Sequence, residues 1–596
     1  REIWLSVKMG PKANCAFNES VSLQVSGPLN VSAMQRAFQA LLDRHDALRA
    51  TFSADGATLC VTDTLKIETP LVDLSGHTEE ARNSALQKLM DAEVDVPFNL
   101  ELGPLVRAQI VKLGDDSFRI LLTAHHIICD GWSMSCVVRD LGRLYTAIKN
   151  NTTPDLPEAY RFSDYALLEE EEKRNNTNAE AEVYWRELYS DSTPTTDLPT
   201  DRPRPLTRTY EGRREDLVLD PELVKGLKQI GAESGCTFLT VLLAGFEAFL
   251  CRITGQDDIV VGIPAAGQSA TGRSTLVGHC VNILPLRGQV SDGSKFSDLL
   301  RSVRSAMLDA YENQRYTFGS LIKMLPQATR DPGRIPLIPI LFNIDQATHE
   351  DGFHADDVTA EFFSNPRHFE NFEITLNVSS SDEKVVFECT YNTNLFDQET
   401  IRARLQEYET LLRSVQQDHA QLVEELSLLT SDEQTRLFSD WNATELAYAD
   451  SACVHELIAA QVERTPAAVA VGFEGKALSY EALDQRANQL AHHLQSLGVG
   501  PDVLVGVSLE RSEQMLVAVL GVLKAGGAYV PMDPEYPKER LAYMLEHSGV
   551  PVLISQSDLL ERLPEHQAQL VCVDSDWDSI AGLSTARPST EVQPEH

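Results

Sequence analysis

One stretch of the sequence, residues 106–150, limits the possible folds more than any other. It holds two apolar runs, "VRAQIVKL" and "FRILLTAHH", separated by the turn residues "GDDS". This pattern predicts a β-hairpin whose second strand is buried on both faces. From Ser133 onward, apolar residues recur at helical spacing, which predicts a helix directly after the strand. A hairpin followed by an amphipathic helix indicates an α/β fold.

The second strand ends in two adjacent histidines, His125 and His126, followed by Asp130 and Gly131. Because successive side chains of a strand face opposite sides, one histidine at most can enter a given cleft. We expect the other to be buried and hydrogen-bonded, and Asp130 and Gly131 to shape the turn. A neutral imidazole commonly removes a proton from a nucleophile near pH 7, so the pair is a candidate for general-base catalysis.

Two other interpretations of this cluster are weaker. A metal site is disfavoured because the possible ligands, which are His125, His126, Cys129 and Asp130, lie on one tight turn without an evident second group. Cys129 as a nucleophile would need a reactive thiolate, whereas a cysteine in an apolar setting is more often a small buried hydrophobe. No G-x-S-x-G turn supports a covalent acyl-enzyme. The residues alone leave open a general base or a purely structural pair of histidines.

The chain of 596 residues is too long for one hydrophobic core, since cores stop growing at roughly 250 to 300 residues. The charged run "EEEEKRNNTNAEAE" and the proline-rich "DLPTDRPRPLTRTY" follow the first α/β unit. A second unit, with the apolar helix "FLTVLLAGFEAFLCRITG" at its centre, ends near residue 425. Residues 426–452 resemble a linker, and from Cys453 helices and strands alternate as in doubly wound sheets.

Charge and cysteine usage exclude several classes of protein. The formal net charge of −37 argues against general binding to nucleic acid or an anionic membrane. The ten cysteines form no CxxC pair, which favours a reducing, cytoplasmic location, and no run of 18 apolar residues predicts a membrane span. The first residues, "REIWLSVKMG", show no signal-peptide pattern, and both ends suggest a piece of a longer chain.

The segment "HHIICDGWS" resembles the HHxxxDG signature of condensation domains in nonribosomal peptide synthetases, which acetyltransferases and epimerization domains share. Six further stretches resemble motifs of the condensation family in the same order. They are "REIWL", "RHDALRATF" (Arg44 to Phe52), "FSDYA" (Phe162 to Ala166), "VGHCVNILPLR" (Val277 to Arg287), "NQRYTF" (Asn313 to Phe318) and "RDPGRIPL" (Arg330 to Leu337).

The resemblance implies two chloramphenicol-acetyltransferase-like subdomains, residues 1–170 and 171–425, in a V-shaped pseudo-dimer with the active site between them. A donor acyl or peptidyl thioester would enter on the 4'-phosphopantetheine arm of an upstream carrier protein. An acceptor aminoacyl thioester would enter on a downstream carrier, and its amine would attack the donor carbonyl. No cofactor or metal is expected to bind the chain directly, and we expect a monomer.

The resemblance also assigns roles to residues. His126 would face the tunnel as the catalytic residue, supported by His125, Asp130, Gly131, Trp132 and Ser133. Since the attacking amine has an ordinary pKa near 8, His126 either takes its proton or orients it, and the sequence leaves both roles open. Asp130 would be structural, in an ion pair with an arginine of the second half; the candidates are Arg252, Arg287 and Arg334. Gly131 would let the backbone approach the substrate.

The chain departs from the family pattern at Gln268. Where many relatives read "PxAGR", this sequence reads "PAAGQ", which weakens any role for an arginine there. Together with "GHCVN", it resembles the condensation domains that follow polyketide modules, so the donor is expected to be a polyketide acyl chain. Two rival functions stay open: a noncatalytic carrier-docking or gatekeeping domain, and an epimerization domain. Heterocyclization is disfavoured, because an acid would replace the first histidines.

Residues 453–596 resemble the beginning of an adenylation domain. The stretches "LSYEALDQRANQLAHHL" and "LKAGGAYVPMDP" are similar to its first two motifs. That family's phosphate loop and its ribose-binding residues do not occur in these residues, so we expect a partial α/β adenylation N-terminal lobe without adenylation activity. We interpret His492 and His493 as part of a solvated helix face.

Overall fold

The computed structural model describes residues 2–175, 177–325, 331–346, 352–365, 367–380, 384–447, 452–594 and 596. Arg1 and Arg330, from two of the motifs above, and residues 448–451 of the predicted linker lie outside this set. The chain divides into two compact units, residues 1–440 and 441–596. Each unit is described by itself.

The helices of the first unit alternate with strands along most of its length. The helices are Glu2–Val7 (α1), Pro11–Cys15 (α2), Val31–Arg44 (α3), Glu79–Asp95 (α4), Gly131–Asn150 (α5), Phe162–Arg174 (α6), Ala179–Leu188 (α7), Pro221–Glu233 (α8), Phe238–Thr254 (α9), Gly267–Ala270 (α10), Phe296–Glu312 (α11), Phe318–Met324 (α12), Gln398–Gln417 (α13) and Ser431–Thr435 (α14). The strands are Asn18–Ser26 (β1), Ala50–Phe52 (β2), Leu59–Val61 (β3), Leu71–Asp73 (β4), Val106–Gly114 (β5), Ser117–His125 (β6), Gly212–Val218 (β7), Asp258–Ala266 (β8), Val281–Gln289 (β9), Ile340–Gln346 (β10), Thr359–Ser364 (β11), Ile374–Ser380 (β12) and Val385–Asn392 (β13).

The strands of this unit form two main sheets. The first has the order β11-β1-β6-β5-β4, and the second has the order β7-β13-β12-β10-β8-β9. Strands β5 and β6 pair antiparallel, with Val106 opposite Ala124, which confirms the predicted hairpin. All of β6 from Ile120 to His125 is buried, because neighbouring strands flank it and side chains cover both of its faces.

Helix α5 begins two residues earlier than its apolar spacing indicated. The side chain of Asp130 accepts a hydrogen bond from the backbone N–H of Ser133, so Asp130 is the N-cap and the helix starts at Gly131. The helix then buries one face against the first sheet and against α3, with Val137 and Leu141 in the core.

The first unit has two halves, which correspond to the expected subdomains at residues 1–170 and 171–425. The second half has its own hydrophobic core around α9. Every residue from Thr240 to Leu250 is buried, which confirms the prediction of a central helix. Phe246 and Phe249 of α9 contact the ring of Tyr408 on α13, at centroid distances of 5.5 and 5.6 Å. The burial of each side chain of this size contributes roughly 1.5–3 kcal/mol to the free energy of folding, so α9 stabilises the second half.

Two segments of the second half in sequence belong to the first half in space. Leu276, Val277 and Cys280, together with Phe353 and Val358, pack in the first hydrophobic core. Strand β11 pairs antiparallel with β1, with Phe362 opposite Leu23. The expected boundary between the subdomains, at residue 170, lies inside α6. Segments from beyond this boundary pack in the core of the first half.

The second unit alternates helices and strands as predicted. Its elements are α15 (Val454–Arg464), β14 (Val469–Phe473), β15 (Lys476–Ser479), α16 (Tyr480–Ser496), β16 (Leu504–Val507), α17 (Glu513–Ala525), β17 (Ala528–Pro531), α18 (Lys538–Ser548), β18 (Val552–Ser555), β19 (Gln569–Cys572) and α19 (Trp577–Ile580). The sheet β17-β16-β18-β19 is parallel throughout. His492 and His493 are only partly exposed, and Nε2 of His492 lies 2.9 Å from the carbonyl oxygen of Ala586. The expected solvated face is therefore partly covered by the chain beyond α19.

Within the described residues, no single helix is both long and apolar enough to span a bilayer. The pair α8 and α9, bent by 103°, meets that criterion only as a pair, by length and composition alone.

Candidate active site

A cavity of about 3090 Å³ lies in the first unit and is lined by strands of both sheets. The first half contributes Glu19, His126, Gly131 and Trp132 to its wall, and the second half contributes His279. The predicted catalytic histidine, His126, therefore faces a space that both halves line.

The ends of β1 and β6 place the two histidines on opposite sides. Asn18 pairs with His125, and the N–H of His126 donates to the carbonyl oxygen of Phe17 at 2.7 Å. The alternation of a strand therefore continues through both residues. His126 lines the cavity with its side chain 22% exposed, whereas His125 is fully buried.

His125 is held as a neutral, structural side chain. Its Nδ1 accepts a hydrogen bond from the N–H of Ile127 at 3.2 Å, and its ring contacts the rings of Phe17 and Phe98. Burial lowers the pKa of His125 to about 3, and the neighbouring His126 adds to this shift. His125 is therefore the histidine of the pair that is buried and hydrogen-bonded.

The surroundings of His126 fix which nitrogen can take a proton. Its Nδ1 lies 3.0 Å from the carbonyl oxygen of Cys129, an atom that only accepts hydrogen bonds, so Nδ1 carries the hydrogen. In the neutral ring, Nε2 then holds the free lone pair. Oε1 of Glu19 lies 3.2 Å from the same Nδ1.

Glu19 bridges His126 and an arginine. Its Oε2 accepts a hydrogen bond from Nη2 of Arg367 at 2.5 Å. Burial opposes ionisation of this carboxyl group, but the charges of Arg367 and His126 outweigh burial, so the pKa of Glu19 lies below its ordinary value. Glu19 is therefore a carboxylate at neutral pH.

A third imidazole completes this side of the cavity. The ring of His279 lies 5.0 Å from the ring of His126, at an interplanar angle of 66°. Burial, with a smaller effect of His126, lowers the pKa of His279 well below its ordinary value. His279 is therefore neutral, and its Nδ1 is buried without a hydrogen-bond partner among the described residues.

Asp130 lies away from the cavity and forms hydrogen bonds with residues of both halves. Its carboxyl group accepts hydrogen bonds from the backbone N–H groups of Ser133 and Cys280, both at 2.9 Å. The side-chain amide of Gln268 lies 3.1 and 3.0 Å from its two oxygens. Asp130 is fully buried.

The predicted ion pair between Asp130 and an arginine is wrong for all three candidates. Arg252 donates to the carbonyl oxygens of residues 423, 424 and 426, Arg287 pairs with Asp191 and Asp258, and Arg334 pairs with Asp197 and Glu373. Each arginine is engaged by partners of its own half, and Gln268 occupies the place beside Asp130.

Trp132 and Ser133 also contact the loop between β8 and β9. Oγ of Ser133 accepts from the N–H of Gly278 at 3.0 Å, and the indole N–H of Trp132 donates to the carbonyl oxygen of Ser274 at 3.2 Å. Gly131 lines the cavity, and a Cβ atom there would meet no other atom within 4 Å. A side chain at this position would project into open space in the cavity.

The surroundings of Cys129 do not fit the role of a nucleophile. Cys129 is fully buried, and burial, followed by the charge of Asp130, raises its pKa well above the ordinary value, so it is an unreactive thiol. No group of three or more His, Cys, Asp or Glu side chains in the described part of the chain is placed to hold a metal ion.

Sequence reasoning did not assign Glu19, His279 or Arg367 to the site. Glu19 is an isolated acid in a strand of mostly apolar and small polar residues, and His279 lies inside the motif "VGHCVNILPLR". Residues 19, 126, 279 and 367 are far apart in the sequence, and no local pattern indicates that they lie close together in the fold.

Comparison with protein families agrees with this geometry. Residues 1–438 match the condensation domain family, and residues 458–595 match the AMP-binding enzyme family. The chain is 35% identical to tyrocidine synthase 3 of Brevibacillus parabrevis, over 97% of the chain and 9% of that protein. It is 33% identical to gramicidin S synthase 2 of Brevibacillus brevis, over 96% of the chain and 12% of that protein. It therefore spans a small part of the length of these relatives.

Solved structures show the same fold. A four-domain nonribosomal peptide synthetase bound to AMP and glycine superposes with a TM-score of 0.80 at 20% identity, covering 98% of this chain and 44% of that one. The first condensation domain of the CDA synthetase superposes with a TM-score of 0.62 at 21% identity, covering 72% of this chain and 97% of that one. The first unit thus has the chloramphenicol-acetyltransferase-like fold of condensation domains, with two related halves. The chain belongs to the condensation-domain family and continues into the N-terminal part of an AMP-binding domain.

Proposed function

We propose that the first unit forms an amide bond between a donor acyl or peptidyl thioester and an acceptor aminoacyl thioester, each carried by a 4'-phosphopantetheine arm, in nonribosomal peptide synthesis. The observation that carries this proposal is the exposure of His126 in a cavity bounded by both halves, with its Nε2 free to accept a proton. Membership of the condensation family supports the same reaction. The partners are an upstream donor carrier protein and a downstream acceptor carrier protein.

The reaction needs only a proton acceptor and a confined space. The neutral amine of the acceptor attacks the thioester carbonyl carbon of the donor, so a C–N bond forms and the C–S bond breaks. The proton lost by the amine passes to Nε2 of His126, and His126 then gives that proton to the departing thiolate of the donor arm. The Nδ1–H tautomer, which leaves Nε2 unprotonated, supports this role of His126 as a base or hydrogen-bond acceptor.

Further assignments belong to the same proposal. The subdomains are residues 1–170 and 171–425, with the exchanged segments noted above, followed by a linker at 426–452 and a partial adenylation domain at 453–596 without adenylation activity of its own. The chain acts as a monomer in the cytoplasm. The ten cysteines, all free of disulfide bonds, support a reducing compartment.

The donor is proposed to be a polyketide acyl chain. The support is the resemblance of "PAAGQ" and "GHCVN" to condensation domains that follow polyketide modules. Gln268 bonds Asp130 away from the cavity, whereas His279 lines the cavity with its ring 5.0 Å from the ring of His126. A donor without an α-amino group and a donor with one are therefore the two substrates to compare.

The experiment offers loaded donor and acceptor carriers to the wild-type chain and to His126→Ala, and measures carrier-bound products by intact mass spectrometry. We expect acyl transfer by the wild-type chain and a decrease of about 100-fold or more in the variant, the range typical of a lost general base. His77→Ala, which alters an exposed loop histidine, is the matched control.

Each alternative has a distinct result. Undiminished transfer by a folded His126→Ala variant would show that His126 is not essential. Binding of carriers without transfer by the wild-type chain would indicate a docking or gatekeeping domain. Exchange of the Cα proton without transfer would indicate epimerization, and a preference for aminoacyl donors over acyl donors would contradict the polyketide assignment.

A further inference from the structure

We propose that Glu19 is a positioning residue whose carboxylate increases the proton affinity of His126, and that Arg367 limits this increase by pairing with the same carboxylate. The inference rests on the proposed function, because the proton that His126 accepts is the one released by the acceptor amine. In this proposal Glu19, from β1, and Arg367, from the segment after β11, together set the proton affinity of Nε2 of His126.

The strand β1 aims Glu19 at the cavity. The preceding residue, Asn18, points to the opposite side, where its Nδ2 donates to the carbonyl oxygens of Val94 and Val96 at 2.9 and 3.1 Å. Glu19 lies opposite Ala124 in the neighbouring strand, two residues before His126. The alternation of both strands therefore places Glu19 and His126 on the same side of the sheet.

The two oxygens of Glu19 have different partners. Oε1 lies 3.2 Å from Nδ1 of His126, and Oε2 lies 2.5 Å from Nη2 of Arg367. The side chains of Glu19, His126 and Arg367 are 17%, 22% and 34% exposed. Solvent therefore screens these charges less than it would screen charges on an open surface.

The effect of Glu19 is one of charge, since the tautomer of His126 is already fixed. The carbonyl oxygen of Cys129 lies 3.0 Å from Nδ1 and accepts its hydrogen. When Nε2 gains a proton, the positive charge spreads over both ring nitrogens, and a carboxylate beside Nδ1 stabilises it. An opposite charge at this distance typically raises the pKa of a base by one unit or more.

The other titratable groups near His126 do not supply this charge. Burial lowers the pKa values of His125 and His279 below their ordinary values, so both rings are neutral. The carboxyl group of Asp130 faces Gln268 and the backbone N–H groups of Ser133 and Cys280. In the described part of the chain, Glu19 is the carboxylate that forms an ion pair with His126.

Removal of the charge of Glu19 and removal of the charge of Arg367 should change the proton affinity of His126 in opposite directions. Glu19→Gln keeps the size of the side chain but removes the negative charge, which leaves the positive charge of Arg367 nearby, so the proton affinity of His126 falls. Arg367→Met removes the positive charge, so the proton affinity rises. The double variant should return toward the wild-type value, because both charges are then absent.

The direct test titrates His126 in the full chain by NMR of ¹⁵N-labelled histidine, with His126→Gln used to assign its signal. We expect the midpoint of His126 to move down by about one pH unit in Glu19→Gln and up by a smaller amount in Arg367→Met. Asp115→Asn, at an exposed turn before β6, is the control that removes one carboxylate at a distance from the site. A midpoint that moves by less than about 0.2 units in Glu19→Gln would overturn the inference.

The second test measures single-turnover condensation against pH with loaded carriers. In Glu19→Gln we expect the acid limb of the rate profile to move to lower pH and the plateau rate to fall, since the free base is present at lower pH but is weaker. Movement of the limb in the same direction in both single variants would contradict the opposing roles of the two charges. If the NMR midpoints shift as expected and no condensation occurs, the proposed function fails while the electrostatic coupling stands.

Discussion

The carboxyl group of Asp130 is buried against neutral hydrogen-bond donors. Backbone N–H groups of Ser133 and Cys280 and the side-chain amide of Gln268 donate to it, and Oε1 of Gln268 is buried without a partner among the described residues. Because these donors come from both halves, the carboxyl group joins the start of α5 to the loop between β8 and β9. Its contribution is to hold the wall of the cavity in place.

Replacing Asp130 by alanine should therefore destabilise the first unit by about 3 kcal/mol or more. The change removes the N-cap of α5 and leaves buried donors unpaired, each of which costs roughly 1–3 kcal/mol. Urea unfolding followed by tryptophan fluorescence measures the effect, with Asp115→Ala as the exposed control. Equal midpoints for Asp130→Ala and the wild type would show that the junction does not depend on this residue.

At the scale of elements, α9 is a core helix that carries one acid. Glu247 is fully buried, and neither of its oxygens has a hydrogen-bond partner among the described residues. The side chain occupies space beside β9 that a Cβ atom at Gly288 would fill, since that atom would lie 2.1 Å from Oε2. Burial alone raises the pKa of Glu247 from 4.5 to about 8.

This shift makes the stability of the second half depend on pH. The folded pKa lies above the unfolded value, so between pH 4.5 and about 8 the folded state binds a proton that the unfolded state has released. The free energy of unfolding therefore decreases as pH rises through this window, by at most about 1.4 kcal/mol per unit, and does not decrease further from this group above about pH 8.

Glu247→Met should remove this dependence. We expect the variant to gain stability over the wild type on going from pH 6 to pH 8, measured by urea unfolding at both values. Glu222→Met, at an exposed position of α8, is the control. The same stability difference at both pH values would show that Glu247 is ionised, or is solvated, in the folded chain.

At the scale of the whole molecule, the two compact units have separate hydrophobic cores. The clusters around α9 and around β6 belong to residues before 440, and the cluster around α16 and α17 belongs to residues after 441. Within the first unit, in contrast, the two halves exchange segments, since β11 and residues 276–280 cross into the first core. The first unit is therefore one cooperative body, and residues 441–596 are not part of its core.

A chain that ends after Asp440 should fold and keep the condensation activity proposed for the full chain. The expected result is a transfer rate within about twofold of the full chain, since the cavity and the hydrophobic cores beside it are formed by residues of the first unit. The mass-spectrometric transfer assay measures the rate, and circular dichroism verifies folding. Aggregation of the shortened chain, or loss of activity in a folded one, would show that the second unit supports the first.

The sequence by itself determined the local architecture of this protein. The hairpin of β5 and β6, the central helix α9, the alternating second unit and the opposite orientations of His125 and His126 all follow from side-chain periodicity within short segments. Such patterns are readable because burial acts on each element through its own period of 2 or 3.6 residues.

Only the tertiary structure decided which distant residues meet at the site. The pairing of Gln268 with Asp130, in place of any of the three candidate arginines, depends on how the loop between β8 and β9 crosses into the first half. The contacts of Glu19 with His126 and Arg367 join positions far apart in the chain. Hydrogen bonds and ion pairs act over a few ångströms in space, and one sequence does not encode such long-range proximity in any local pattern.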